Sequence, residues 1–600
     1  MLGSKFKPIT IIAVVGAYIL TLRQEKWSIL CFLQCFISTW LAAFSCWGLW
    51  ATQLYPRFFS PLRHLPEPKG NSFWNGQFKK IRAEAAGAPM LEWVHTVPNE
   101  GLIKYKGLFN RERLLPTSPK ALAEILVTKN YDFAKPEQMR TTIGRILGIG
   151  ILLAEGDEHK AQRRNLNPAF AFRHLKDLYP IFWAKSREAV QAMTTKVLQD
   201  SDPARKGTNG TAPQFMPMGD DVANAQLPPG TAFMEVGQWA SRATLDIIGV
   251  AGLGRDFGAI RDPNSQLNST YHYLFKPSRQ AQVLGLLNEV LPGWIITRLP
   301  VRRNNDIHQA ATYIRSVCRD MVREQKEKLA AAKEDEKGSQ EKDILSVALR
   351  SGGFTDENLV DQLMTFLAAG HETTATAMTW AVYMLSRYPE VQDRLREEVR
   401  SRLPSPESGE DVTSADIDSM PYLNAVCNEI LRYYGPVPLT IRDTARDTTI
   451  LGNFVPKGTR VFIGIWAINK SKELWGPDAD QFRPERWLDD DDENDKTTAN
   501  GDNADGSEPD NQKSSAKRAA SGGASSNYAF MTFLHGPRSC IGSGFAKAEF
   551  AVLLAAWIGR FEFRLRYEEE KDEANVEIKG GVTSRPAKGM HVKATVVEGW

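Results

Sequence analysis

The residue with the clearest chemical potential in this sequence is Cys540, in the stretch FLHGPRSCIG from Phe533 to Gly542. An apolar pattern with helical spacing follows from about Phe545. A thiolate at Cys540 would therefore lie just before a helix N-terminus, where unpaired N–H groups and the helix dipole favour an anionic sulfur. Gly536 and Gly542 would let the backbone come close to a flat ligand. The stretch predicts a thiolate that faces such a ligand.

Two further side chains of this stretch agree with that hypothesis. Arg538 could pair with a carboxylate on the ligand, and Phe533 would provide an apolar cover for the sulfur. The alternative is an inert buried cysteine, the usual state of an isolated cysteine. The six cysteines form no CxxC pair and are too scattered for a disulfide framework, so zinc and haem-attachment motifs are absent from the sequence.

The complete spacing Phe-x-x-Gly-x-Arg-x-Cys-x-Gly resembles the haem-binding loop of the cytochrome P450 family, in which a cysteine thiolate is the axial ligand of haem iron. The resemblance implies haem b as the cofactor and Cys540 as the iron ligand. It also implies that Phe533, Gly536, Arg538 and Gly542 surround the haem. The implied fold is mainly α with small β-sheets, an α+β class.

A long helical pattern from Thr355 to Tyr388 stops at Pro389 and carries polar residues in its apolar middle. A threonine hydroxyl there can bond back to a carbonyl one turn earlier and open the helix. Such an opening could hold dioxygen and a water, and Glu372 and Thr373 could then relay protons as general acid and hydrogen-bond donor. The pair resembles the acid-threonine pair in the oxygen-binding helix of the family. His371 is expected to be a polar turn of this helix rather than an iron ligand.

Glu429 and Arg432 lie three positions apart on a predicted helix and therefore share a face. A buried pair of this kind rarely recovers its desolvation cost unless another group completes it. Arg486, in the stretch FRPERW, is the expected partner. These stretches resemble the Glu-x-x-Arg and Pro-Glu-Arg-Trp motifs of the family, whose role is to hold the cysteine loop in place.

Haem carries two propionate carboxylates, which need cationic partners. The resemblance points to Arg538, Arg442, His159 and Arg163 for this role. Many members of the family have a tryptophan at the position of His159, so the histidine is a departure that still keeps a hydrogen-bond donor.

The residues expected to line the substrate pocket are mostly apolar, which predicts a hydrophobic substrate of moderate size. By position in the resembling fold they are Glu137 to Ile149, Phe366, Ala369, Pro438 to Thr440, Val582 and Thr583.

The N-terminal region predicts a membrane anchor over residues 1–55. The run from Trp27 to Leu54 has no charged residue and would be about 42 Å long as a helix, enough to span a bilayer. The shorter run from Ile9 to Leu22 leaves one or two spans open. A proline-rich, non-helical hinge is predicted over residues 56–70 and a catalytic domain over 71–600, with disordered inserts near 201–230 and 489–527. The cations after the second run predict a cytoplasmic catalytic domain on the endoplasmic reticulum membrane.

The overall composition is that of a globular protein, with 42% hydrophobic and 24% charged residues and a net charge of +3, which gives no reason to expect a nucleic-acid partner. No flavin- or nucleotide-binding segment follows the cysteine loop. The resemblance therefore implies a monooxygenase that takes NADPH electrons from a separate cytochrome P450 reductase, with cytochrome b5 as an optional second donor.

Within the family, the length, the tryptophan-rich anchor and the phrase AEGDEHKAQRRNLNPAF are most similar to fungal members that tailor secondary metabolites. Two alternatives stay open. A haem-thiolate isomerase or dehydratase would need no O₂, but such members typically lose the acid-threonine pair. A non-enzymatic haem sensor would need neither an oxygen groove nor a thiolate.

Overall fold

The computed structural model describes residues 2–23, 28–201, 227–275, 278–334, 343–488, 521–580 and 582–600. The two inserts predicted near residues 201–230 and 489–527 lie largely outside these ranges.

Helices dominate the described residues, which confirms the predicted fold class. The α-helices are α1 Leu2–Leu22, α2 Ile29–Leu49, α3 Phe78–Ala83, α4 Ala88–Thr96, α5 Pro119–Ala123, α6 Glu137–Leu147, α7 Gly156–Leu166, α8 Phe172–Leu175, α9 Tyr179–Ser201, α10 Val236–Ile247, α11 Gln266–Phe275, α12 Arg279–Val290, α13 Gly293–Arg298, α14 Arg302–Glu334, α15 Ile344–Arg350, α16 Asp356–Arg387, α17 Pro389–Arg402, α18 Ser414–Asp418, α19 Pro421–Tyr433, α20 Ile465–Asn469, α21 Lys472–Trp475 and α22 Ser543–Arg560.

The strands are short and form small sheets. They are β1 Leu102–Lys106, β2 Glu112–Pro116, β3 Phe133–Ala134, β4 Thr231–Glu235, β5 Leu439–Thr444, β6 Thr448–Ile450, β7 Asn453–Val455, β8 Arg460–Gly464, β9 Phe561–Leu565, β10 Ile578–Gly580, β11 Ser584–Pro586 and β12 His591–Val596. The largest sheet has the order β1-β2-β8-β5-β3, with β2 and β8 parallel and its other pairs antiparallel. A three-stranded sheet has the order β4-β12-β9, and β6-β7 and β10-β11 are two-stranded.

Helix α16 runs through the centre of the molecule. The Thr355 hydroxyl caps its first turn by accepting the N–H of Asn358 at 3.2 Å, and the chain turns into α17 at Pro389. Its apolar side chains are buried against α10, α14, α19 and α22. A helix surrounded on all sides in this way is apolar all round its axis, so its few polar residues mark positions with another role.

The N-terminal helices α1 and α2 pack side by side. The Thr39 hydroxyl donates to the carbonyl oxygen of Ala13 at 3.2 Å, and the Trp40 indole N–H donates to the hydroxyl of Thr10 at 3.3 Å. By length and composition, one helix among the described residues could cross a membrane, Ile29–Phe59. The apolar part of α1, Lys7–Leu22, is shorter.

The predicted start of the hinge is wrong. The chain stays helical through Pro56 and ends this helix at Phe59, because the segment Trp50–Phe59 adopts wider π-type turns that tolerate a proline without an N–H. The non-helical connection therefore begins at Ser60. The prolines beyond it lie in turns and extended chain, as expected.

Candidate active site

The cysteine loop folds back on itself ahead of α22. The backbone N–H of Cys540 donates to the carbonyl oxygen of Phe533 at 2.8 Å, and α22 begins at Ser543. The Cys540 side chain is accessible. Desolvation by the surrounding protein raises the pKa of its thiol, whereas the N–H of Gly542 and the Arg163 guanidinium lower it. The loop therefore supplies stabilising partners for an anionic sulfur.

The two glycines of the loop differ in what they do. Gly536 has a φ of +76°, and a Cβ there would lie 2.2 Å from the carbonyl oxygen of Leu126, so only glycine fits. A Cβ on Gly542 would meet only the ring of Phe170, at 3.7 Å. Gly536 is thus required by the backbone, while Gly542 leaves space beside the cysteine.

Arg163 binds the cysteine loop itself. Its guanidinium donates to the carbonyl oxygen of Ser539 at 2.5 Å and to the side chain of Asn167 at 3.1 Å. The sequence predicted a carboxylate partner for this arginine. The structure instead places it next to the residue that precedes Cys540, because α7 packs beside the loop.

Four buried or nearly buried basic side chains come together near the loop, and we call them the cation cluster: Lys135, His159, Arg442 and Arg538. Strand β3 pairs with β5, and continuing the register from the pair Ala134–Asp443 puts Lys135 opposite Arg442. Lys135 was missed by sequence reasoning, since only this strand pairing brings it to the site.

The cation cluster contains more positive charge than the chain neutralises. Glu155 forms an ion pair with Arg538 and accepts the backbone N–H of Lys135 at 2.9 Å. Arg442 is 3% exposed, and its guanidinium donates to the Thr440 hydroxyl and to the backbone oxygen of Ile441. Among the described residues, Arg442 and the Lys135 ammonium have no carboxylate within ion-pair distance, and the Arg538 Nε has no hydrogen-bond partner.

The pKa values of the cation cluster reflect this imbalance. Burial and the neighbouring Arg538 lower the pKa of Arg442 to about 10. Burial and then the charges of Arg538, Lys135, Arg163 and Arg442 lower the pKa of His159 to about 4. Its imidazole is therefore neutral at pH 7, with the Tyr131 hydroxyl 3.3 Å from Nδ1.

A ligand with two carboxylates would relieve this imbalance, and haem is such a ligand. The unpaired Arg538 Nε, the buried Arg442 guanidinium and the Lys135 ammonium are donors without an acidic partner in the described protein. The accessible Cys540 lies on the same loop as Arg538, so a single flat ligand could engage both. The residues present therefore fit haem.

The middle of α16 opens toward accessible space. Ala369 is exposed and Thr373 is partly exposed, although the helix on both sides is buried. The Thr373 hydroxyl donates to the carbonyl oxygen of Ala369 at 2.7 Å, which is the back-bonding expected from the sequence. Gly370 serves a different purpose, since a Cβ there would press on Ile248 of the neighbouring α10 segment at 3.0 Å.

Glu372 and His371 project in other directions from Thr373. The Glu372 carboxylate accepts the Thr583 hydroxyl at 3.0 Å and pairs with Arg585 at 3.2 Å. His371 is buried, with its Nδ1 2.6 Å from the carbonyl oxygen of Leu367 and its ring against Tyr271 at 4.8 Å. His371 is therefore a packed core residue, whereas the sequence predicted only a polar turn of the helix.

Glu549 is a buried acid that sequence reasoning missed. It lies on α22, is 1% exposed, and faces the Thr374 hydroxyl of α16. Burial raises the pKa of its carboxyl well above the usual range, which favours the protonated form. It links the helix that follows Cys540 to the helix that carries Thr373. Its position in an apolar helix was the available signal.

Glu429, Arg432 and Arg486 form what we call the ion-pair cluster. Arg432 donates to both oxygens of Glu429, at 2.8 and 2.7 Å, and Arg486 donates to Oε1 at 3.1 Å. The remaining Arg432 donors reach backbone oxygens of Asn469, Ala479 and Gln481. The Trp487 indole N–H donates to Glu429 Oε2 at 2.9 Å. The arginine partner expected from the sequence is present.

The predicted substrate loop is held against α16. The Thr365 hydroxyl donates to the carbonyl oxygen of Leu147 at 2.9 Å, and the N–H of Ile149 donates to Asp361 Oδ2 at 3.1 Å. Phe366 packs edge-to-face on Phe170 at 5.6 Å. The loop and the oxygen-side helix are thus brought together. Thr583 joins them through Glu372, while Val582 is exposed.

Comparison with known proteins gives, for most of the chain, the same family that the cysteine loop resembles. The family model for cytochrome P450 matches residues 105–213 and 218–592. Cytochrome P450 monooxygenase ALT8 of Alternaria alternata is 44% identical, over 92% of this chain and 93% of the relative. Cytochrome P450 monooxygenase sphH of Aspergillus fumigatus is 44% identical, over 91% and 90%. Cytochrome P450 monooxygenase FUM15 of Gibberella moniliformis is 43% identical, over 91% and 90%.

Proposed function

Because the chain belongs to the cytochrome P450 family, we propose that Cys540 is the axial ligand of its haem iron and that the cation cluster holds the haem carboxylates. The family consists of haem-thiolate enzymes, so the cofactor is haem b. The relatives are monooxygenases by name, and the protein is a monooxygenase as well. The observation that carries the residue assignment is the excess of buried positive charge beside a loop with an accessible cysteine.

When bound, haem b supplies a thiolate-ligated iron at which O₂ is reduced and one oxygen atom is inserted into the substrate. The protein stabilises the thiolate with three groups. The Gly542 N–H and the Arg163 guanidinium favour the charged sulfur, and the N-terminus of α22 adds its partial positive charge. Arg538 and Arg442 donate to the carboxylates, with His159 as a neutral donor and Lys135 as a further cation. Phe533 covers the sulfur.

Glu372 and Thr373 handle protons in this proposal. Thr373 keeps its hydroxyl at the helix opening, where it donates to Ala369 and could instead donate to a water. Glu372 lies next to Thr373 in the sequence, but its carboxylate is bound by Thr583 and Arg585. Proton delivery then requires the carboxyl group to rotate away from Arg585 or to act through water.

The substrate is a lipophilic small molecule, and we infer that it is processed in secondary metabolism. The side chains of the predicted substrate loop are mainly apolar or partly buried against α16 and α14. The isomerase or dehydratase alternative is less well supported, since the acid-threonine pair is intact and the relatives are named monooxygenases. A sensor role finds no supporting feature.

An external redox partner supplies the electrons, and we infer that this partner is NADPH–cytochrome P450 reductase, with cytochrome b5 as a second donor. The apolar helix Ile29–Phe59 supports an anchor in the endoplasmic reticulum membrane, with the catalytic domain on the cytoplasmic side. The contacts of α1 with α2 favour a hairpin of two spans over a single span.

A tag on the N-terminus distinguishes these topologies. In a hairpin the tag is cytoplasmic and is digested by protease added to intact microsomes. A tag protected until detergent is added would exclude the hairpin and leave a single span.

Replacement of Thr373 tests the proton assignment. A lipophilic compound is first selected by the spin-state shift that it produces in the haem spectrum. With that compound, reductase and NADPH, we expect Thr373→Ala to oxidise NADPH while product formed per NADPH falls by about tenfold or more. Oxygen from ¹⁸O₂ should appear in the wild-type product.

Thr379→Ala is the matched control, because Thr379 makes the same type of bond, to the carbonyl oxygen of Ala375 at 2.8 Å, farther along the helix. It should keep wild-type coupling. Equal losses in both variants would assign the effect to helix packing and remove Thr373 from the mechanism.

A further inference from the structure

A cavity of about 740 Å³ lies on the outer side of α6, bounded by the end of α13 and the first half of α14. Arg145 of α6, Arg298 of α13, and Arg315 and Arg319 of α14 contribute to its wall. We call this cavity the arginine pocket. No residue proposed above to bind haem or transfer protons lines it, and Arg145 is the one lining residue that belongs to the predicted substrate loop.

The pocket follows from the sequence pattern of α14. Asn304, His308, Ala311, Arg315 and Arg319 recur at intervals of three or four residues and therefore lie on one face of the helix. The charged residues of this face would be expected to point into water. Here α6 and α13 lie beside this face and create a concave wall, in which Arg315 is partly buried and Arg319 is exposed.

The arginine pocket has more positive than negative charge. Arg315 pairs with Glu357 at 3.1 Å and with Asp361 at 2.6 Å, and Arg319 pairs with Glu357 at 3.1 Å. Arg145 donates to Asn304 Oδ1 at 3.2 Å, and Arg298 lies 5.8 Å from the centre of the Trp294 ring. In the described parts of the chain, neither Arg145 nor Arg298 has a carboxylate partner.

Arg145 is placed where a counter-ion would be most favourable. Burial, together with the charge of Arg303, lowers the pKa of its guanidinium. Its one side-chain acceptor, Asn304, is already fixed by donating to the backbone oxygens of Ile296 at 2.8 Å and Leu299 at 2.9 Å. An anion in the pocket would balance the charge of Arg145 without displacing Asn304.

We propose that the arginine pocket binds a phosphate monoester. A doubly charged phosphate matches two cations that have no acidic partner, and guanidinium groups bind phosphate oxygens in bidentate fashion. A cavity of about 740 Å³ is much larger than a phosphate group, so it has room for the organic part of the ligand, which Leu299, Pro300 and Ala311 would contact.

Such a phosphate has two possible sources, a lipid headgroup or a soluble metabolite. A lipid headgroup is one candidate, because contacts of α12 connect the region of the pocket to the end of the apolar N-terminal helix. Arg111 donates to the backbone oxygen of Glu289 at 3.0 Å, and the adjacent Asn110 donates to the backbone oxygen of Thr52 at 2.9 Å, at the end of the apolar helix. Trp294, next to the pocket, is exposed.

Occupation of the pocket would reach the substrate loop through Asp361. This carboxylate accepts Arg315 from the pocket side and the N–H of Ile149 from the loop side, at 3.1 Å. A phosphate that shares Arg315 weakens its hold on Asp361 and leaves that acid freer to bind the loop. The ligand would thus alter substrate affinity from outside the active site.

Binding is measured on the full-length, haem-loaded protein in phosphatidylcholine nanodiscs, titrated by calorimetry with glycerol 3-phosphate. We expect saturable binding that weakens with added salt, and none with glycerol. The Arg145→Gln/Arg298→Gln variant should bind at least about tenfold more weakly. Arg302→Gln, an exposed arginine at the start of the same α14, changes the charge outside the pocket and should bind within about twofold of wild type.

In a second experiment, about a fifth of the phosphatidylcholine in the nanodiscs is replaced by phosphatidic acid. Loss of glycerol 3-phosphate binding in these discs, together with a higher unfolding temperature in wild type but not in the double variant, assigns the site to the lipid headgroup. Unchanged binding in these discs assigns it to a soluble phosphate ester. The proposal is overturned if neither ligand binds wild type, or if both bind the double variant equally well. These readouts do not depend on turnover, so failure here leaves the monooxygenase assignment untouched.

Discussion

The ion-pair cluster and the cation cluster both bury arginines, but they balance charge in opposite ways. In the ion-pair cluster, Glu429 accepts from Arg432 and Arg486, and the leftover Arg432 donors reach backbone oxygens. In the cation cluster, Arg442 and its neighbours have one nearby acid among the described residues, Glu155. The first group is balanced by the protein itself, and the second leaves positive charge that an anionic ligand would balance.

This contrast distinguishes a buried charge that stabilises the fold from a buried charge that binds a ligand. A charge inside protein is tolerated when it is paired and hydrogen-bonded. Arg432 meets that condition, because it pairs with Glu429 on the same helix, α19, and Glu429 also binds Arg486. Arg442 does not meet it, because it is buried and has no carboxylate within ion-pair distance among the described residues. The arginine pocket resembles the cation cluster, because Arg145 and Arg298 have no carboxylate partner among the described residues, but it is less buried.

The largest predicted effect comes from breaking the ion-pair cluster. Glu429→Gln leaves two buried guanidinium groups without a counter-charge, and we expect a loss of about 3–5 kcal/mol in the free energy of unfolding. Thermal denaturation and the yield of haem-loaded protein measure it. Arg323→Gln is the control, since the Arg323–Asp320 pair is exposed and should contribute less than about 1 kcal/mol. Equal stability of the two variants would refute the structural role of Glu429.

Replacement of Arg442 should affect the haem and spare the fold. In Arg442→Met, a buried cation without an acidic partner becomes an apolar side chain of similar length, so the unfolding free energy of haem-free protein should not fall. Loss of one charge-assisted hydrogen bond to a haem carboxylate should speed haem transfer to apomyoglobin roughly tenfold to a hundredfold. A variant that unfolds like Glu429→Gln yet retains haem normally would place Arg442 with the ion-pair cluster.

The smallest effect is a pH dependence in the cation cluster. The folded protein lowers the pKa of His159 from 6.5 to about 4, so between these values the unfolded chain binds a proton that the folded protein does not. Stability is therefore lost as pH falls from 6.5 toward 4. Between pH 7 and pH 5 the haem-free wild type should lose at most about 2 kcal/mol more than haem-free His159→Gln in denaturant titrations. A smaller loss in wild type than in the variant would mean that His159 is protonated in the folded protein.

The sequence predicted the parts of the site that depend on local spacing. Cys540 was predicted to lie just before a helix N-terminus, and α22 begins at Ser543. Glu429 was predicted to meet Arg432 on one helix face. The back-bond from Thr373 to Ala369 follows from helical periodicity. Family resemblance added Arg486 and the expected fold class.

Other features depended on contacts between distant segments and could not be predicted. Lys135 reaches Arg442 only because β3 pairs with β5, and Glu549 meets Thr374 only because α22 crosses α16. The contact of Arg163 with Ser539 depends on the packing of α7 beside the cysteine loop. At Pro56 the rule that proline ends a helix gave the wrong boundary, because the local turns are wide enough to accept it.

The most direct test of the central claim is the absorption spectrum of the dithionite-reduced, CO-bound protein in microsomal membranes. Wild type and the control Cys46→Ala, which changes an exposed cysteine of the anchor, should show the strongly red-shifted Soret band of thiolate-ligated haem. Cys540→Ala should lack that band. Folded, haem-loaded wild type without the band, or a Cys540→Ala variant that retains it, would show that Cys540 is not the axial ligand.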